Sequence, residues 1–144
     1  MATAGRLGEL LVRENLITVQ QLQQAQLAQK SHGGRLGQNL TRLGIIDENE
    51  LTSFLSKQYG VPSINLNEFD IDADVIKLIP REVAEKHQVI PVNRAGSTLI
   101  LAMSDPSNIF AIDDIKFLTS YNIEVVVASD NQIQQAIEKY YNTS

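Results

Sequence analysis

A chain of 144 residues, 43% of them apolar and 20% charged, can fill one ordinary domain or two small ones and is too apolar for a disordered tail. A net charge of −5 argues against a general grip on DNA or RNA, and the absence of cysteine excludes disulfides, thiolate metal sites and thiol nucleophiles. No apolar run approaches the roughly 20 residues of a membrane span and the start lacks a signal-peptide pattern, so the expected compartment is cytoplasmic.

The chain opens on a repeat. "GRLG" stands at Gly5 to Gly8 and returns at Gly34 to Gly37. It heads two 24-residue copies, "RLGELLVRENLITVQQLQQAQLAQ" (6–29) and "RLGQNLTRLGIIDENELTSFLSKQ" (35–58), separated by "KSHGG". Without gaps they agree at Arg6/Arg35, Leu7/Leu36, Gly8/Gly37, Leu11/Leu40, Arg13/Arg42, Ile17/Ile46, Leu22/Leu51 and Gln29/Gln58. Apolar spacing predicts a short helix in each copy, near Leu7 to Glu14 and Leu36 to Leu43, with Gly44 suited to the left-handed residue that ends the second. Thr18-x-x-Gln21 and Asp47-x-x-Glu50 are capping-box patterns, so further helices start at Val19 and Glu48. Each copy is then a helix pair, and two pairs can stack into a four-helix unit.

Beyond residue 58 the period changes. Residues 63–66 read as a short strand, Asp72 to Ile79 as one or two helical turns, and Pro80 to His87 as a helix with proline at its first position. "QVIPV" and "STLILAMS" read as strands joined by "NRAG"; "DPSN" caps a helix over Ile109 to Ser120; "IEVVVAS" is a strand; Asp130 caps a last helix ending in "KYYN". This order suggests an α/β sandwich with a small sheet, mixed or antiparallel. The expected fold class is therefore α+β: a tandem helix-pair repeat in residues 1–58, packed with an α/β subdomain in residues 59–144 having a small mixed sheet.

Known catalytic signatures are absent. There is no phosphate loop, dinucleotide-binding glycine motif, nucleophile elbow or Ser/His/Asp set, so this chain is not expected to be an enzyme. His32 and His87 stand alone, and Asp70, Asp72 and Asp74 lack the glycine and glutamate of a calcium loop, so no metal is expected. Charge is uneven: residues 1–58 hold six Lys/Arg against five Asp/Glu, residues 59–144 six against twelve. The first segment is the friendlier to a small anion.

In each copy an arginine opens a helix, glycine follows two residues on, and glutamine closes the unit. Free N–H groups at a helix start attract acceptors, a guanidinium pairs with guanine O6 and N7 or stacks on a ring, and an amide both donates and accepts. The same residues could instead serve helix packing and a solvated surface. Their duplication matches a ligand with two equivalent halves, such as a pseudo-symmetric dinucleotide.

"RLGxxL", a helix break, a leucine and a closing glutamine resemble the MshEN-type cyclic di-GMP-binding module, the N-terminal domain of type IV pilus assembly and type II secretion ATPases of the PilB and GspE kind. "YGVPSINL", "LIPREVAEKHQVIPV", "LILAMSDPSN" and "VVVAS" resemble its α/β part. The resemblance implies that one cyclic di-GMP is gripped across both repeats. By position, Arg6 and Arg35 address the guanines, Leu7-Gly8 and Leu36-Gly37 allow close backbone approach, and Gln29 and Gln58 close the site. Leu11, Leu22, Leu40, Leu51 and Leu55 form an apolar cradle. Asp105 either reaches the ligand or merely begins the next helix. Two departures stand out, Gln26 where the second copy has Leu55 and Asn15 where it has Gly44.

The implied function is regulatory: ligand binding here modulates an ATPase motor lying beyond Ser144, at the cytoplasmic face of the inner membrane. The alternative is a docking module that uses no nucleotide and links the ATPase to the inner-membrane platform or its adaptor. Pilus and secretion roles are not separated by these residues.

Overall fold

Both repeats break after their first helix, and the break is the same hydrogen-bonded turn. The computed structural model describes residues 3–141, with side chains from residue 7 onward. In it α1 (Thr3–Arg13) and α3 (Leu36–Arg42) each end two residues before a left-handed residue, Asn15 at φ 61° and Gly44 at φ 76°. After α1, Leu16 N–H donates to Leu11 C=O (3.0 Å) and Asn15 N–H to Val12 C=O (3.0 Å). After α3, Ile45 N–H donates to Leu40 C=O (3.0 Å) and Gly44 N–H to Thr41 C=O (3.1 Å). These are two complete Schellman ends, and they satisfy carbonyls the helices would otherwise orphan. Asparagine replaces glycine in the first copy because its short polar side chain tolerates this conformation.

The second helices start where their caps stand. Thr18 Oγ1 accepts from Gln21 N–H (3.1 Å) while Gln21 Oε1 accepts from Thr18 N–H (2.9 Å), so α2 spans Val19–His32. Asp47 accepts from Asn49 N–H (3.0 Å), and α4 spans Glu48–Tyr59. The first helix begins at Thr3, earlier than the apolar spacing alone suggests.

The chain divides into two compact units, Met1–Leu51 and Thr52–Ser144. In the first, α1, α2 and α3 pack against one another. Leu11, Ile17, Ala25, Leu36, Leu40 and Ile46 are buried there.

In the second unit a three-stranded sheet has the order β1 (Val89–Ala95), β2 (Thr98–Met103), β3 (Asn122–Val127). β1 and β2 are antiparallel, β2 and β3 parallel, so the sheet is mixed. The parallel pair is joined by α7 (Ile109–Thr119) as a crossover. Around them stand α5 (Ala73–Ile76), α6 (Arg81–His87) and α8 (Asp130–Tyr141). One core cluster unites them, including Ile79, Ile90, Leu99, Leu101, Ile115, Ile133 and Ile137.

Further expectations change: Asp130 is the first residue of α8 rather than its cap, and Ser129 Oγ accepts from Gln132 N–H (3.1 Å) there. Residues 63–66 form no strand: only Ser63 bridges Val127, after which Asn65 accepts from Asn67 N–H (3.0 Å) and the chain turns into a 3-10 segment at Leu66–Glu68. The amide of Gln132 in α8 takes Leu66 N–H (2.9 Å), which removes the donor a longer strand would need. Pro80 is the cap before α6 rather than its first residue. "NRA" belongs to β1, which runs through a register shift between Pro91 and Asn93 to a two-residue turn at Gly96 and Ser97. Among the described residues no helix is long and apolar enough to cross a membrane.

Tyr141 ties the end of α8 to the α5–α6 connection, its hydroxyl lying 2.8 Å from Ile79 C=O and 3.2 Å from Ile76 C=O. Burial pushes this phenol above its usual value of 10.0. Above about pH 10 the unfolded phenol loses its proton while the folded one keeps it, so its contribution to stability falls as pH rises further.

Two measurements follow from these elements. Gly44→Ala is expected to cost about 1 kcal/mol, because a Cβ meets open space but the left-handed backbone disfavours it; denaturant midpoints report this directly. Tyr141→Phe is expected to cost about 1 to 2 kcal/mol at neutral pH, with the gap to the parent shrinking above about pH 10, as denaturant titrations across that range would show.

Candidate functional site

The segment joining the two repeats brings two of the expected site residues, Gln29 and Arg35, close together. Gly33 and Gly34 carry φ of 76° and 82°, and Arg35 follows in extended conformation as the cap of α3. A Cβ on Gly34 would sit 2.8 Å from Gln38 Oε1, the movable end of a side chain, so it is the positive φ of this step that favours glycine.

Polar side chains hold the step from both sides. Gln29, near the end of α2, donates from Nε2 to Gly34 C=O (3.2 Å). Gln38 Oε1 accepts from Arg35 N–H (3.0 Å). Asn39 is 0% exposed and its Nδ2 donates to Gly33 C=O (3.1 Å) and Arg35 C=O (2.8 Å), while Arg42 donates to its Oδ1. The closing glutamine of the first repeat and the opening arginine of the second are thereby brought to adjacent backbone positions. This supplies an amide, a guanidinium and a helix start within one short stretch.

The other expected residues fall into three groups. Leu11, Leu36 and Leu40 are fully buried, Leu51 and Leu55 nearly so, and Gly37 is buried. They hold the helices in place. Leu7, Leu22, Gln29 and Arg35 are half-buried and Gln58 is exposed. Gly8 lies against Leu22: a Cβ on Gly8 would come 2.6 Å from Leu22 Cδ1, so its lack of a side chain serves close packing between α1 and α2. The Arg6 side chain lies outside the described residues. Gln26 is exposed where Leu55, its counterpart, is buried.

Asp105 belongs to the second unit. Its Oδ1 accepts from Ser107 N–H (3.1 Å) and Ser107 Oγ–H (2.6 Å), closing a turn ahead of α7, whose cap is Asn108. Asp72 likewise accepts from Asp74 N–H (3.3 Å) to cap α5. Among the described residues no group of three or more His, Cys, Asp or Glu could hold a metal ion.

Sequence reasoning missed Gln38 and Asn39. The signal lay in the alignment of the copies, where Asn39 faces Leu10 and Gln38 faces Glu9. A polar residue at a position that is apolar and buried in the other copy marks a hydrogen bond specific to one repeat.

Comparison with known proteins places this geometry in context. A family model described as the MshEN domain matches residues 59–144, the segment carrying the sheet rather than the repeats. Over 138 residues the chain is 67% identical to the type IV pilus assembly ATPase PilB of Myxococcus xanthus (strain DK1622), which covers 96% of this chain and 24% of that protein. The chain thus spans about a quarter of the length of this curated relative. A solved structure described as MshE with cdg aligns at a TM-score of 0.72 with 38% identity, over 94% of this chain and 98% of that one. The N-terminal domain of XpsE aligns at 0.72 with 20% identity, over 97% of each chain, and shows the fold alone.

Asn39→Leu, which installs the first copy's residue, is expected to cost about 1 to 3 kcal/mol because two carbonyls lose their buried donor. Amide hydrogen exchange should rise at residues 33–36 beyond the global change, and uniform exchange there would refute the pinning role.

Proposed function

Because this chain belongs to the MshEN domain family, we propose that it is the regulatory domain of a type IV pilus or type II secretion ATPase and binds one cyclic di-GMP across its two repeats. The observation that carries this reading is the duplicated arginine-to-glutamine frame, with Gln29 hydrogen-bonded 3.2 Å from the backbone next to Arg35. The reading is supported by the solved structure of MshE with cdg, an abbreviation of cyclic di-GMP, whose chain is 38% identical over 98% of its resolved length.

The chemistry of the assignment is simple. Arg6 and Arg35 each offer a fork of donors to a guanine edge or a flat surface to its ring. Leu7-Gly8 and Leu36-Gly37 let the ligand approach the backbone, and Gln29 and Gln58 close each half with an amide. Leu22 supplies apolar contact, while the buried Leu11, Leu40, Leu51 and Leu55 fix the helix positions. Asp105 retains a guanine-facing role only if its turn with Ser107 opens or shares the carboxylate.

Binding regulates only through a difference in affinity between two arrangements, so the proposed coupling to the motor requires that the ligand favour one arrangement of the repeats. The motor following Ser144, its partnership with the inner-membrane platform or adaptor, and a place at the cytoplasmic face of the inner membrane belong to the same proposal. The catalysis is assigned to that motor, since residues 1–144 carry no phosphate loop.

Isothermal titration with cyclic di-GMP, beside GTP and linear pGpG, tests the reading. We expect saturation near one ligand per chain with cyclic di-GMP alone. Arg35→Ala should weaken it roughly ten- to a hundredfold, about 1 to 3 kcal/mol. Absence of heat together with an unchanged melting temperature at high ligand would leave a docking module that uses no nucleotide.

A further inference from the structure

The second unit carries two surfaces of opposite character. The first is the outer face of α7. Phe110 is 84% exposed and Phe117 is 91% exposed, with Ile109 and Leu118 beside them. Seven residues separate the phenylalanines, so they stand two turns apart on one face, about 10 Å along the axis. Asp113 and Asp114 lie between them and are exposed as well. Asp114 is fixed by His87 Nε2 at 3.0 Å, so the ridge has a defined acidic centre.

The second surface is a groove of about 640 Å³ between α5, α6 and the end of α8. Pro80, Tyr140 and Tyr141 give it apolar and aromatic walls, and Lys77, Arg81 and Lys139 surround it. Residues 59–144 hold only six Lys/Arg against twelve Asp/Glu, yet three of the six line this one groove. Arg81 is steadied by Glu85 at 3.0 Å and Lys139 lies 5.1 Å from the Tyr140 ring centre. The volume lies in the range that buries a drug-sized molecule and so admits two phenyl rings.

A ridge of two phenylalanines around paired carboxylates fits a concave, aromatic, cationic surface. Pairing of α7 with α7 would instead set Asp113 and Asp114 against themselves. We propose that the α7 ridge of one copy seats in the α5–α6–α8 groove of a second copy of this chain, as a heterologous contact. The phenylalanines stack on the tyrosines and proline, and the aspartates meet Lys77 and Lys139. A contact of this kind joins copies head to tail, closing into a ring or dimer where the rotation permits. It uses none of the residues assigned to the nucleotide.

Sedimentation equilibrium of the purified chain tests this over about 10 μM to 1 mM, the range of weak specific contacts. The weight-average mass should climb above the 16.0 kDa monomer. Phe117→Ser, which removes a fully solvated ring, and the double variant Lys77→Glu/Lys139→Glu should each weaken association at least about tenfold. Melting temperatures identify any variant whose fold has changed. An equimolar mixture of the two variants retains one intact ridge and one intact groove, so it should form 1:1 heterodimers and nothing larger. A parent that stays monomeric overturns the proposal. So does association that survives both variants, or a mixture that fails to pair, since the occupant of the ridge would then be a different partner.

Discussion

A buried amide has no access to water, so each of its hydrogen bonds must be met within the protein or its burial is costly. Asn39 is the side chain on which this constraint bears in the first unit, and it spends both N–H groups on the carbonyls of Gly33 and Arg35. The two positive-φ glycines would otherwise leave the junction of the repeats free to adopt many paths. Pinned by Asn39, with Gln38 on Arg35 N–H and Gln29 on Gly34 C=O, it has one. The start of α3, the direction in which Arg35 leaves the backbone and the nearness of Gln29 all follow from that path.

The same constraint makes the two repeats unequal. Their helix ends match hydrogen bond for hydrogen bond, through Leu11 and Leu40, Val12 and Thr41. Their beginnings do not, because Leu10 contributes only apolar burial where Asn39 binds backbone. A ligand with two equivalent halves would therefore meet one half-site whose backbone is fixed by side chains of its own and another held by the packing of Gly8 on Leu22.

The second unit shows a division of labour along one chain. The family model recognises this half, whose buried β2, Ile79 and Ile133 define a core with little freedom to vary. The nucleotide contacts are proposed for the repeats at residues 6–58, with Asp105 as the candidate from residues 59–144. Within the second unit α7 is apolar on both sides, with Ala111 and Ile115 in the core and Phe110 and Phe117 in solvent. Outward aromatic side chains on a helix that already has its core contacts signal an interaction surface rather than unfinished packing.

The sequence by itself determined the local elements and their punctuation. Thr18 with Gln21, Asp47, Gly44 and the tolerant Asn15 act within a few residues, so their consequences could be read from spacing alone. The helix and strand order of the second unit was legible for the same reason, apart from residues 63–66, where a side chain 66 positions away takes Leu66 N–H. What only the tertiary structure decided were relations between distant or differently facing groups. It buried Asn39, set Gly8 against Leu22, brought Lys77 and Lys139 to one groove and left Phe117 outside. Hydrophobic periodicity can mark a face as apolar, but whether that face meets a core, a neighbouring helix or another molecule depends on how the chain is folded around it.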